Sequence, residues 1–189
     1  VLFRSIAALN GAVASALTAM VAGLTVGKKG YEEHEELMKH ISRLSIGQQE
    51  LFVEYIDRDS EAYDRVFGCF KLPKITDEEK AARSAAIQEA TRFAALIPMQ
   101  VARNACELME IIADVARLGN RNAITDACVA MMAARSAVLG ALLNVRINLA
   151  SLKDTAFVDE LKREACRLEQ LACTREKELL EVVNQELNQ

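Results

Sequence analysis

Proline, glycine and aromatic residues are all scarce in this chain. Two prolines and eight glycines stand among 189 residues, tryptophan is absent, and aromatic residues make up 5%. So few breakers leave little to interrupt helices. No run alternates Val, Ile and Thr with polar residues, so the signature of a half-buried strand is missing. Ala, Leu, Glu, Arg and Lys, which enter helices readily, are abundant. The composition predicts an all-α fold, and the length suits one domain over residues 1–189 with its own core.

An excess of one charge is lacking too. The formal net charge is −4 with acids and bases interspersed, so no basic field exists to hold a nucleic acid. Only two histidines occur, His34 and His40, both in a charged stretch that reads as a solvated face. Cys69, Cys106, Cys128, Cys166 and Cys173 are widely spaced and form no Cys-x-x-Cys pattern, so no metal site is expected. Their odd number on apolar faces reads as reduced, buried thiols of a cytoplasmic protein.

One long uncharged stretch does occur, from Ile6 to Val26. It is built largely of small residues and contains Asn10, so it is too weakly hydrophobic to hold a bilayer. Gly11, Ser15, Ala19 and Gly23 recur every fourth residue, a spacing that lets another helix backbone approach. We read it as a buried packing helix and expect no membrane partner.

The punctuation gives the element order. A helix over about Ile6–Thr25 stops at Gly27-Lys28-Lys29-Gly30. A second covers about Tyr31–Phe70, with a bend expected near Gly47, and Lys71-Leu72-Pro73-Lys74 ends it. Thr76 and Glu79 have capping-box spacing, opening a third helix that extends to Leu118 with a kink or break expected at Pro98. Gly119-Asn120-Arg121-Asn122 is a turn, and Thr125 or Asp126 is the expected cap of the next helix. That helix carries the nearly uncharged run Ala127–Leu149, and an amphipathic helix over about Thr155–Leu187 closes the chain. The pattern predicts an antiparallel bundle of long helices. The segments Ile6–Thr25 and Ala127–Leu149 have too little polar surface for both to be outer helices of a monomer, so a homodimer or an assembly of dimers is expected.

One charge stands where it does not belong. Phe52, Ile56, Tyr63, Val66 and Phe70 form an apolar stripe with spacings of three and four, and Asp59 falls inside it. A buried, unpaired carboxylate costs on the order of several kcal/mol. Burial also favours the neutral acid, the form from which proton transfer can begin. Either Asp59 bonds a helix end or an arginine such as Arg135, or it is functional; periodicity leaves both open. Asn144 and Asn148 lie four apart on the most apolar helix, placed to hold a flat amide-bearing ligand or to bond across a helix contact. Lys28, Lys29, Lys71 and Lys74 are cations at helix breaks, suited to carboxylate tails.

The segments Ser5–Ala12, Met20–Thr25 and Lys28-Lys29-Gly30-Tyr31 are similar to the opening of formiminotetrahydrofolate cyclodeaminases. The similarity continues at Asp57-Arg58-Asp59-Ser60-Glu61-Ala62-Tyr63, Lys71–Lys74 and Ala86–Ala90. It resumes at Gly119-Asn120-x-Asn122-x-x-Thr125-Asp126 and at Asn144-Val145-x-Ile147-Asn148-Leu149. The chain thus resembles the cyclodeaminase/cyclohydrolase family, which is all-helical and dimeric. The resemblance implies that Asp59 is catalytic. It nominates Lys28, Lys29, Lys71, Lys74, Asn120, Asn122, Asp126, Asn144 and Asn148 for a tetrahydrofolate substrate. The implied reaction converts 5-formiminotetrahydrofolate to 5,10-methenyltetrahydrofolate and ammonia. The alternatives are hydrolysis of the methenyl compound, or a helical assembly protein that has lost the chemistry. Because the reacting nitrogen and carbon belong to one substrate, no metal or redox cofactor is expected. Where the family carries Pro-Gly-Gly-Gly-Ser, this chain has Val1-Leu2-Phe3-Arg4-Ser5, which reads as a truncated or foreign start at residues 1–4.

Overall fold

A computed structural model describes residues 6–187, and residues 1–4, read above as a truncated or foreign start, lie outside them. Five helices follow one another: α1 (Ile6–Gly23), α2 (Glu35–Cys69), α3 (Asp77–Leu118), α4 (Ile124–Leu149) and α5 (Thr155–Leu187). Short 3-10 turns at Glu32–His34 and Arg121–Ala123 lead into α2 and α4, and no strand occurs among the described residues.

The ends of the helices have local causes. After α1 the chain turns through Gly27 and Gly30, at φ 71° and 91°, a region that side chains disfavour. At the start of α3, Thr76 Oγ1 accepts from the Glu79 amide at 3.2 Å, and Glu79 Oε2 accepts from the Thr76 amide at 3.2 Å. This is the reciprocal box that the spacing predicts. The cap before α4 falls elsewhere than expected. Neither Thr125 nor Asp126 serves; Asn120 does, its Oδ1 accepting from the Asn122 amide at 3.0 Å. The 3-10 turn runs straight into α4, so the amides needing a partner occur earlier in the chain.

Neither Gly47 nor Pro98 ends its helix. α2 continues through Gly47, and α3 continues through Pro98. Proline has no N–H, so the Ala94 carbonyl four residues back loses its helical partner. Asn148 Nδ2 of α4 donates to that carbonyl at 2.8 Å. The defect in α3 is repaired from a neighbouring helix.

The small-residue stripe on α1 is buried only at its start. Gly11 and Ser15 are buried, Ala19 is half-buried and Gly23 is exposed. A four-residue repeat advances about 40° per step around a helix, so it rotates out of the contact. At Gly11 an added Cβ would stand 2.5 Å from Cδ1 of Phe52, itself fully buried. Glycine there lets α1 lie on the ring.

Side-chain pairs fix how the helices run. Tyr55 meets Asn104 at 3.0 Å and Arg65 meets Glu89 at 2.9 Å, so numbers rise along α2 as they fall along α3. Arg121–Glu186 and Arg135–Glu176, at 2.6 and 3.0 Å, relate α4 and α5 in the same opposed sense. α4 packs on α1, α3 and α5 and carries Met131, Val138, Leu142 and Val145 into the core. The outer side of α4 still exposes Val129, Met132, Leu143 and Ile147, and α1 exposes Ile6, Leu9, Val13 and Met20. Ile6–Gly23 and Arg121–Leu149 are long and apolar enough to cross a membrane, and half of each is buried against the other helices.

The cysteines are free, but not all are buried as expected. Cys106 and Cys128 are buried, while Cys166 and Cys173 are exposed. α5 is an outer helix, so its thiols at those turns point to solvent. Burial pushes the Cys106 thiol up to about 11.

Candidate functional site

Asp59 lies on the inward face of α2, between Tyr55 four residues before it and Tyr63 four after. Two hollows meet at its side chain. The first is a small pocket whose walls come from Ala7 and Ala8 of α1, Ile97, Pro98 and Val101 of α3, and Ala141 of α4, with Tyr55 and Asn144 beside Asp59. The second is a cleft of about 410 Å³ running from Asp59 along Tyr63, Val66 and Phe70. α3 contributes Gln88, Thr91 and Ala94 to this cleft, and α4 contributes Ile147 and Asn148. Asp59 is half-buried, as its place in the apolar stripe implies, whereas Asp57 and Asp64 face solvent. The alternative partner named for it, Arg135, is engaged with Glu176 at 3.0 Å.

Each wall has a local reason. Alanines at positions 7, 8 and 141 bring α1 and α4 close enough to narrow the first pocket; an added Cβ on Gly140 would stand 3.3 Å from that of Ala7. Pro98 both lines the pocket and sets Asn148, because the carbonyl it frees at Ala94 holds the Asn148 amide at the cleft wall. Gln88 clamps the far edge. Its Nε2 donates to the Ser151 carbonyl at 2.8 Å, and its Oε1 accepts from the Lys153 amide at 2.8 Å. That ties the α4–α5 link to α3.

The nominated residues fall into two groups. Asp59, Asn144 and Asn148 converge. Lys71 follows Phe70, which lines the cleft, and its Nζ stands 4.9 Å over the Phe67 ring, which stacks on Tyr63; Lys74 is exposed in the link from α2 to α3. Lys28, Lys29, Asn120, Asn122 and Asp126 gather at the opposite end of the bundle. Ile124 and Asn144 lie 20 residues apart in α4, roughly 30 Å at the helical rise. There Asn120 is a latch: its amide nitrogen donates to the Leu24 carbonyl at 3.2 Å, and its backbone amide to Thr25 Oγ1 at 2.8 Å. Its Oδ1 also takes the Lys28 ammonium. Within one chain these residues join α1 to the α3–α4 turn and stand away from Asp59.

Sequence reasoning passed over Gln88 and Thr91 as site residues. Their signal is a face of α3 on which they stand three apart, followed at the same helical spacing by Ala94 and Pro98. Among the described residues no three His, Cys, Asp or Glu side chains gather as metal ligands would. What converges is a carboxyl group able to give and take a proton, two amides, and walls that limit water.

The model of the Formiminotransferase-cyclodeaminase family matches residues 5–167. The chain belongs to that family. The match takes in Asp59 and every other nominated residue. The chain is 40% identical over 182 residues to a methenyltetrahydrofolate cyclohydrolase of Methylorubrum extorquens, covering 96% of this chain and 88% of the relative. It is 30% identical over 171 residues to a formimidoyltransferase-cyclodeaminase of Rattus norvegicus, covering 90% of this chain and about a third (32%) of that longer relative. The crystal structure of a formiminotetrahydrofolate cyclodeaminase from Thermotoga maritima superposes with a TM-score of 0.83 at 28% identity, over 95% of this chain and 87% of that one. The chain is thus an enzyme of the folate cyclodeaminase/cyclohydrolase family.

Proposed function

We propose that the chain hydrolyses 5,10-methenyltetrahydrofolate to 10-formyltetrahydrofolate, with Asp59 carrying the proton. The observation behind the choice of reaction is the 40% identity to a cyclohydrolase along nearly the whole of both chains. The observation behind Asp59 is its place where the narrow pocket and the wide cleft meet, one asparagine in each. Water adds to the methenyl carbon, and Asp59 takes a proton from it. The resulting tetrahedral carbon breaks its bond to N5, which takes that proton from the same carboxyl group, while the remaining hydroxyl proton passes to solvent as the C=O forms and the formyl group stays on N10. One residue serves as base and then as acid. Asn144 and Asn148 suit the hydrogen-bonding edge of a flat ring, and Lys71 and Lys74, beyond Phe70 in the chain, suit the glutamate tail.

Cyclodeaminase chemistry, the reaction that the sequence motifs alone suggest, is the second reading. Two similar proteins, from Rattus norvegicus and Thermotoga maritima, carry cyclodeaminase in their names. Here N10 attacks the formimino carbon and ammonia leaves, with the same carboxyl group moving both protons. Purified protein offered both folates separates the readings. Loss of the methenyl absorbance with formyl product supports the first, and ammonia from the formimino substrate supports the second. Turnover of neither overturns both.

The working form we propose is a homodimer of this antiparallel bundle, free in the cytoplasm and using no added cofactor, metal, membrane or nucleic acid. The support is the uncovered apolar side of α1 and α4, two helices that pack on one another. A two-fold axis across the middle of those helices sets the Lys28–Asn120 end of one copy beside the Asp59 end of the other. That arrangement reunites Lys28, Lys29, Asn120, Asn122 and Asp126 with the cleft.

A further inference from the structure

Three other features of the molecule carry less. The cleft between the last turns of α3 and α5 is rimmed by Arg117, Arg121 and Arg175, but each guanidinium already pairs with a carboxylate. Ser45 and Gln48 hold polar atoms with no partner inside α2, but neither lines the pocket or the clefts described. The exposed apolar stripes belong to the dimer described above. Thr91 carries more.

Thr91 is 5% exposed, and the surface it keeps lines the cleft shared by Asp59 and Asn148. A buried helical threonine or serine normally satisfies its hydroxyl on the carbonyl four residues back. This chain does so repeatedly: Ser15 bonds Gly11 at 2.9 Å, Thr18 bonds Ala14 at 2.7 Å, and half-buried Ser60 bonds Ile56 at 3.1 Å. Thr91 has no such bond to Ile87, nor a hydrogen bond to any other described residue. Its neighbours along the same face are Ala90, Ala94 and Ala95, all buried, so valine would fit the site without the cost of an unmet hydroxyl. The cleft receives polar groups from three helices, among them the Asp59 carboxyl from α2, the Gln88 amide and Thr91 hydroxyl from α3 and the Asn148 amide from α4; of the two amides, Gln88 already bonds Ser151 and Lys153, and Asn148 bonds Ala94.

We propose that Thr91 is a substrate-contacting residue, its hydroxyl hydrogen-bonding the head group of the bound folate and fixing that ring relative to Asp59. The proposal rests on the folate reading above. A hydroxyl both donates and accepts, so it matches the mixed edge of a pterin, where an apolar residue of the same shape has nothing to offer.

Two variants test it, Thr91→Val and Thr91→Ser, assayed on the methenyl and formimino folates beside the parent protein. Valine keeps the shape and removes the oxygen; serine keeps the oxygen and removes a methyl. Thr91→Val should lower kcat/KM about tenfold, chiefly through KM, on whichever folate the parent turns over. Its melting temperature should be unchanged or higher. Thr91→Ser should stay within about threefold of the parent, a recovery that a purely structural role does not produce. Unchanged kcat and KM in Thr91→Val would overturn the proposal while leaving the folate reading intact. So would equal losses of activity in both variants accompanied by a lower melting temperature. If the parent turns over neither folate, reading and proposal fall together.

Discussion

The two aspartates of the Asp57-Arg58-Asp59 run illustrate how much two residues along a helix can change. Asp57 points about 200° away from Asp59 and is exposed, while Asp59 faces the meeting point of two hollows. Asn in place of Asp59 keeps size and shape but cannot transfer a proton, so Asp59→Asn should lower kcat by about 10² to 10⁴-fold. Thermal stability should hold or rise, because the change leaves no hole. Asp57→Asn should change kcat by less than about threefold, since a wet carboxylate off the cleft has no reacting atom to reach. Steady-state kinetics with thermal melts checks both, and a fully active, stable Asp59→Asn protein would move the chemistry elsewhere.

Between elements, the informative contact is the one that repairs α3. Pro98 frees the Ala94 carbonyl and Asn148 caps it, so the two residues belong to one device although they lie on different helices. Asn148→Ala should cost about 1–3 kcal/mol, the penalty of a buried carbonyl left unpaired. In a Pro98→Ala background the restored N–H takes over, and removing Asn148 should cost at least about 1 kcal/mol less. Urea unfolding of the four proteins measures the coupling, and equal losses in both backgrounds would break the link. A second tie joins α3 to α5. Arg103 grips Glu164 with two bonds, of 2.7 and 2.6 Å, and those bonds hold the Glu164 carboxyl below its usual range. A carboxyl whose folded value is lowered contributes stability above its unfolded value of 4.5 and loses that contribution as the pH falls. Arg103 is 41% exposed, so the effect is modest. Glu164→Gln should destabilise by about 1 kcal/mol near pH 7, and the difference should shrink as the pH falls below 4.5 and vanish once the folded carboxyl is protonated; urea midpoints followed from neutral to acid pH decide it.

For the molecule as a whole, the telling feature is the exposed apolar side of α1 and α4. Val13 and Leu143 are 45% and 62% exposed, large apolar side chains on two helices that pack together. Exposed apolar side chains of this kind are the support for the proposed homodimer. Light scattering should give twice the chain mass at micromolar concentration. Val13→Glu with Leu143→Glu should yield a monomer with its helix content intact, because neither side chain belongs to the core. A parent protein that is monomeric under those conditions would remove the two-fold arrangement and, with it, the reunion of Lys28 and Asn120 with the cleft.

The sequence by itself determined the helices and the anomaly. Their order, the box at Thr76 and Glu79, the turn at Asn120 and the extent of α5 all follow from spacing and breakers, which act over three or four residues. The misplaced charge at Asp59 was legible for the same reason: a stripe is a local pattern. Only the tertiary structure decided what lies opposite. Pro98 reads as a break in one dimension because its remedy, Asn148, stands 50 residues further on. That Asn120 also latches α1, its amide bonding Leu24 96 residues earlier, cannot be read from spacing, and Thr91 is an ordinary helical threonine until its missing back-bond is seen beside a cleft. Repeats of three and four state which way a side chain points along its own helix. Which groups from other helices meet it there depends on packing, and packing is settled by shape and satisfied polar atoms across distances that no local pattern encodes.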